Sequence, residues 1–131
     1  MNNFFSNNRI IFYFLNISLI TLYLFPGSLI GWIIYDNKKI QPQITSDFIV
    51  SSNHFYVFIL ISIIGFLTFK NQKQFKNLVI YLVLLSLILE FFHLFIPERN
   101  FQLSDLCGNF LGVVVVIYVR KLINKYGAFK K

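Results

Sequence analysis

Four apolar stretches divide the chain: Ile10–Phe25, His54–Phe69, Asn77–Ile96 and Asp105–Ile123. The first closes at Pro26-Gly27, the third at Pro97, and the fourth runs into Arg120-Lys121. No period-two alternation marks a strand, and backbone facing hydrocarbon must satisfy its own hydrogen bonds, so each stretch is expected to be a helix. A helix rises 1.5 Å per residue, so about 20 residues span a hydrocarbon core roughly 30 Å thick. The third and fourth stretches have that length. The first two lie near the lower limit of about 17 and need flanking residues, Asn8-Arg9 or Phe48–Asn53, to complete a crossing. The pattern predicts an all-α integral membrane protein: four transmembrane helices in one domain over residues 1–131.

A long loop, Pro26–Asn53, joins the first two stretches. Within it Leu29–Tyr35 is apolar and carries Trp32 and Tyr35, aromatics that favour the headgroup level. The segment reads either as an interfacial half-helix or as an extension of the first helix. The first stretch, flanked by Arg9 and Gly27-Ser28, has the outline of a signal peptide. It is long for one and no A-x-A-like site follows, so it is expected to remain as a helix.

Composition narrows the class. The chain is 56% apolar and 13% charged, with mean hydropathy +0.66. Soluble domains have about 45–50% apolar and about 25% charged residues, so this chain has too little charge to wet a small globule. A cytosolic enzyme and a disordered tail are excluded. The formal charge of +7 does not imply nucleic acid, because the basic residues sit between apolar runs and form no face. Cys107 is the one cysteine, which excludes an internal disulfide and a cysteine-based zinc site.

The basic residues set an expected orientation. Arg9, then Lys70, Lys73 and Lys76, then Arg120, Lys121, Lys125, Lys130 and Lys131 occupy three alternate regions and make up nine of the twelve. The other two loops hold Lys38, Lys39 and Arg99 beside Asp36, Asp47 and Glu98. By the positive-inside rule both termini lie in the cytoplasm, with anionic membrane lipids as partners of the basic loop and tail.

Polar residues inside apolar runs carry the remaining information, since an ionised side chain at a helix centre costs about 2.5–3.5 kcal/mol on insertion scales. Glu90 lies six residues before the end of the third stretch, which places it roughly 9 Å deep at 1.5 Å per residue. His93, at i+3, shares its face. His54 opens the second stretch, Arg99 follows the third, and Asp105 begins the fourth with Asn109 at i+4. All six belong to the outer ends of their helices, which is how a site would be distributed.

Each has a plainer reading. Asp105 after Ser104 suits a helix N-terminus, Gly108-x-x-x-Gly112 suits close helix packing, and Asn109 suits an interhelical hydrogen bond. His54 and Arg99 suit headgroup anchors, and Glu90 suits a structural pair with Arg99 or a histidine. No metal is expected: E-x-x-H on one helix is common, and it lacks the second histidine of H-E-x-x-H. No cofactor motif is present.

The stretch from Glu90 to Gly112, E-F-F-H-L-F-I-P-E-R-N-F-Q-L-S-D-L-C-G-N-F-L-G, resembles the VanZ-like family of small bacterial membrane proteins. Glu90, Pro97, Arg99, Asp105, Leu106, Asn109 and Gly112 match its pattern, and Asn53-His54-Phe55 is similar to its His-Phe at the preceding helix. His93 stands where the family usually has Gln, and Val50-Ser51 replaces its usual Asp-Lys, with Asp47 nearby. The resemblance spans about His54 to Ile117 and implies a multi-pass protein of the bacterial cytoplasmic (inner) membrane with a cell-envelope role. One member of the family is linked to teicoplanin resistance, a glycopeptide resistance. Others occur in exopolysaccharide contexts, and the resemblance implies no particular reaction.

Two functions follow for the six residues. In the first, His54, Glu90, His93, Arg99, Asp105 and Asn109 bind a lipid-linked envelope component such as a glycan precursor. Arg99 pairs with its phosphate, Asp105 and Asn109 meet sugar hydroxyls, and Glu90 and His54 orient the network. In the second, Glu90 and His54 are catalytic in a membrane-embedded hydrolase or transferase, Glu90 as general acid/base. No G-x-S-x-G, paired aspartates or lipid-phosphatase-like series supports that chemistry. A third reading is a structural partner in an envelope or exopolysaccharide assembly.

Overall fold

The computed structural model describes residues 2–127, with side chains from residue 8 onward. Five α-helices and no strand occur among the described residues: α1 (Asn2–Leu24), α2 (Leu29–Tyr35), α3 (Ser52–Thr68), α4 (Gln72–Phe92) and α5 (Leu103–Tyr126). The all-α expectation holds. Lys130 and Lys131 of the basic tail lie outside the described residues.

α3 is the centre of the bundle, packing most extensively on α5 and then on α1, while α4 lies against α5 and touches α1 and α3. Phe58 and Ile61 of α3, Leu78, Leu82 and Leu89 of α4, Val113 of α5, and Phe12 and Leu19 of α1 close the apolar core. Ser52, Ser62, Ser86, Glu90 and Asn109 are also buried, whereas Phe14, Ile17, Leu67, Ile88, Val114 and Tyr118 point outward. Apolar side chains outside and polar ones inside are the arrangement a hydrocarbon solvent selects. α4 and α5 are long and apolar enough to cross a membrane, at about 31 and 36 Å by helical rise. The bent pair α1 and α2 adds up to one more, and α3 is a shorter apolar helix.

Several element boundaries differ from the apolar pattern. α1 begins at Asn2, eight residues before the first stretch, because the polar Asn-rich start continues the helix. α4 begins at Gln72 rather than Asn77, because the Asn71 side chain accepts from the Lys73 N–H and caps the helix one turn earlier. α4 also ends at Phe92 rather than Ile96: His93 is its C-cap, and residues 93–98 continue as turns. Leu94 and Phe95 are exposed although their apolarity reads as helix. α5 runs to Tyr126, three residues beyond Ile123, where Gly127 caps it with φ 67°.

The long loop is partly helical. α2 is a separate seven-residue helix, bent 83° from α1, so Leu29–Tyr35 does not extend the first helix. Ser28 caps it by accepting from the Gly31 N–H at 2.9 Å, and Asp36 ends it in a left-handed conformation. The returning chain then passes directly over Gly31. A Cβ there would meet the Ile40 carbonyl oxygen at 1.7 Å, so only glycine admits the crossing. Residues 42–47 fold onto the start of α3: Ser52 N–H donates to Asp47 Oδ1 at 2.9 Å, Ser52 Oγ to the Thr45 carbonyl at 2.6 Å, and Asn53 Nδ2 to the Pro42 carbonyl at 2.7 Å. Asp47 thereby serves a helix N-terminus that Ser51 leaves without a side-chain cap.

Candidate functional site

The C-terminal ends of α1 and α4 and the N-terminal ends of α3 and α5 meet at one end of the bundle, roofed by α2 and the 36–51 loop. The opposite end gathers Arg9, the Lys70–Lys76 turn and Arg120, whose guanidinium lies 3.6 Å over the Phe75 ring and donates to the Lys70 carbonyl at 3.2 Å. The polar residues and the basic turn therefore occupy opposite poles.

His54 is the third residue of α3 and is buried, at 5% exposure, which removes the headgroup-anchor reading. Its Nε2 lies 3.4 Å from Asp105 Oδ2. On its other side Nδ1 lies 2.9 Å from the Tyr23 hydroxyl and 3.2 Å from Asn109 Oδ1. Tyr23 donates its proton to Asn109 Oδ1 at 2.8 Å. With that proton committed, the Tyr23 oxygen can only accept, so His54 Nδ1 is the donor and Nε2 faces Asp105.

Asp105 stands in the first turn of α5, where the helix N-terminus favours a carboxylate. Its helix has Gln102 as N-cap with no side-chain bond, so Asp105 serves the histidine as well as the helix end. Asn109, one turn on, is fully buried and joins α5 to α1 and α3, as an interhelical hydrogen bond would. α5 can approach α3 this closely because Gly108 and Gly112 lie against it.

Glu90 is fully buried, yet it sits two residues before the end of α4 and not six inside it. Its burial comes from the chain that follows: residues 93–102 fold back, and the Gln102 N–H donates to Glu90 Oε1 at 3.0 Å. His93 Nδ1 lies 3.3 Å from the same oxygen, and its Nε2 donates to the Tyr23 carbonyl at 3.0 Å. The His93 ring also stacks on Tyr23 with centroids 5.7 Å apart. Glu90 Oε2 is buried without a partner among the described residues.

Arg99 closes the set from the same loop. Its Nη2 donates to the Leu22 carbonyl at 2.8 Å and its Nε to the Phe25 carbonyl at 3.3 Å. These are orphan carbonyls at the end of α1, so the guanidinium caps that helix from a distance. Burial pulls the Arg99 pKa below the usual arginine value, opposed by Tyr23 and by the Asp105 and Glu90 carboxylates.

A cavity of about 150 Å³ lies beside these groups. Tyr23, His54, His93 and Arg99 line it with the polar Ser28, Gln41 and Asn53, and apolar lining comes from residues such as Leu19, Leu22, Leu29, Ile30 and Val57. The six residues singled out in the sequence thus converge: His54 touches Asp105 and Asn109, Glu90 touches His93, Tyr23 joins the two groups, and Arg99 shares the cavity. Tyr23 was not among them, although it touches three. An aromatic at the end of an apolar run reads as an interfacial anchor, and only the tertiary structure reveals what its hydroxyl meets.

No curated protein and no solved structure matches the chain. The family model described as VanZ/LLP1 matches residues 4–124, which takes in α2 to α4 whole, nearly all of α1 and α5, and each residue of the polar cluster. With its apolar outer surface and its buried polar pole, the chain is a membrane protein that belongs to the VanZ/LLP1 family.

Proposed function

We propose that this chain is a bacterial cell-envelope protein of the cytoplasmic membrane whose polar pole faces outward and handles a lipid-linked envelope component. In this reading α1, α3, α4 and α5 cross the membrane, α2 lies at the outer interface, and both termini are cytoplasmic. The pole-to-pole separation of the Lys70–Lys76 turn from the Glu90–Asp105 cluster supports that orientation.

The observation that carries the reading is a cavity lined by Arg99 and both histidines together with aliphatic side chains. Its volume, about 150 Å³, falls below the roughly 300 Å³ of the smallest drug-sized ligand pockets. It suits a phosphate group with the first atoms of a lipid chain, while a glycan stays outside. Asn109 Oδ1 and Asp105 are engaged by His54 and Tyr23, so their part is to position the histidine rather than to read sugar hydroxyls.

The test is to identify the lipids that co-purify with the protein in mild detergent, for wild type, Glu90→Gln and Arg99→Ala. A polyprenyl phosphate or glycolipid present in wild type and lost in both variants is the expected result. Ordinary phospholipids alone, unchanged across equally stable variants, would move the reading to an assembly partner.

A second reading has its own support. His54 lies between a carboxylate and a hydroxyl, and one Glu90 oxygen has no partner among the described residues, which is the material of general acid/base chemistry on the same lipid. Glu90→Gln then abolishes turnover of a bound polyprenyl lipid in a protein that remains folded.

A further inference from the structure

His54, Glu90 and Asp105 come from α3, α4 and α5, yet one ligand atom from each lies within 4.8 Å of the other two. Two are buried and the third is half-buried. We infer that these three side chains form a binding site for one divalent cation of the zinc or manganese type.

Proton placement is the first argument. His54 Nδ1 donates toward Tyr23 and Asn109, so the neutral ring presents the lone pair of Nε2 to Asp105 Oδ2, 3.4 Å away. That pair needs a cation between its two atoms, a place that a proton or a metal ion can fill. Glu90 supplies the second argument. Its Oε1 is held by the Gln102 N–H, but Oε2 is buried with no partner among the described residues, and a buried carboxylate oxygen left unpaired is costly. Two carboxylates and a neutral imidazole form a ligand set of charge −2, which the neighbouring Arg99 cation offsets only in part.

Spacing agrees with this. Ligands about 2.0–2.2 Å from one ion lie roughly 3.3–3.6 Å apart in a tetrahedral shell. The His54–Asp105 gap already has that value, and Glu90 needs to close by at most about 1.5 Å. The outer contacts are also those of a metal site, because the ligating histidine has its other nitrogen fixed by an amide oxygen. One imidazole with two carboxylates favours Zn²⁺ or Mn²⁺ over softer ions. His93 is outside the three-residue cluster: its Nε2 donates to the Tyr23 carbonyl, and its Nδ1 faces Glu90 Oε1, the oxygen that the Gln102 N–H already holds.

The site stands on the protein's own residues and does not rest on the lipid reading. The test uses metal-free full-length protein, stripped of lipid in detergent, titrated with MnCl2 and separately with ZnCl2. Wild type is expected to bind one ion, and its Mn²⁺ electron paramagnetic resonance to show coupling to a single imidazole nitrogen. His93→Gln keeps that coupling and His54→Gln removes it. Asp105→Asn and Glu90→Gln weaken binding at least as much as Asn109→Ala, for which about a 10–100-fold loss is expected from an outer-shell partner. A wild-type protein that binds neither ion, or a Mn²⁺ signal without nitrogen coupling, overturns the site whether or not any variant folds. Coupling or affinity that survives both His54→Gln and Asp105→Asn overturns it too, as a cation held elsewhere.

Discussion

Tyr23 and His54 stand 31 positions apart, and their side chains meet at 2.9 Å between the phenol oxygen and imidazole Nδ1. This contact directs His54 Nε2 toward Asp105, and with Asn109 it ties α1, α3 and α5 into one network. Tyr23→Phe leaves the Asn109 oxygen and the imidazole short of a partner in a buried site. The expected loss of stability is about 1–3 kcal/mol, read by reversible unfolding in detergent. Because Tyr23, His54 and Asn109 share one network, Tyr23→Phe and Asn109→Ala should be non-additive by about 0.5–3 kcal/mol in a double-mutant cycle. Full additivity would show that the three side chains do not act together.

Gly112→Ala tests the packing that brings this network together. A Cβ at position 112 would lie 2.7 Å from the Phe55 carbonyl oxygen and 2.8 Å from Phe58 Cβ. Backbone cannot yield as a side-chain tip can, so α5 must move off α3, at about 1–3 kcal/mol. Thermal unfolding should fall accordingly, whereas Val114→Ala on the outward face of the same helix should change it little.

Arg99 has a structural duty that its surface-loop position hides. Lysine keeps the charge but lacks the planar fork that reaches both the Leu22 and Phe25 carbonyls. Arg99→Lys should therefore cost about 1.5–3 kcal/mol, the range for hydrogen bonds to charged groups. Hydrogen exchange should locate the loss at the end of α1 and leave α5 protected. Uniform loosening of all helices would contradict the capping role.

Much of the site was legible because hydrocarbon makes polar residues conspicuous. Glu90, His54 and Asn109 stand out in apolar runs, and each is buried in the polar pole. Glu90 shows where such reading stops. The apolar pattern buries it by depth along a helix running to Ile96, but the helix ends at Phe92 and the following loop buries it through Gln102. Phe91 to Ile96 carries the same apolar signal whether it is helix or turn. Tyr23 escaped for the opposite reason, because an aromatic at a membrane boundary needs no partner to explain it. The α2 segment was readable as apolar and interfacial, yet its separation from α1 depends on Ser28 as a cap and on Gly31 passing beneath Ile40, both tertiary facts.

Orientation is open to a labelling experiment. Cys107 is exposed, so the background is Cys107→Ser, into which Asn37→Cys or Lys73→Cys is introduced. A membrane-impermeant maleimide applied to intact cells with an accessible cytoplasmic membrane should modify position 37 and spare position 73 until the membrane is permeabilised. The reverse pattern would invert the topology and place the polar pole in the cytoplasm.

The central claim is that a lipid phosphate enters the cavity beside Arg99. The most direct measurement is photocrosslinking with a polyprenyl phosphate carrying a diazirine on its first isoprene unit. The label is expected on peptides containing Leu22, Ile30 or Val57, three cavity-wall residues, and should be displaced by unmodified polyprenyl phosphate. Label spread equally over outward-facing Phe14, Leu87 and Val114, and undiminished by competitor, would contradict the account.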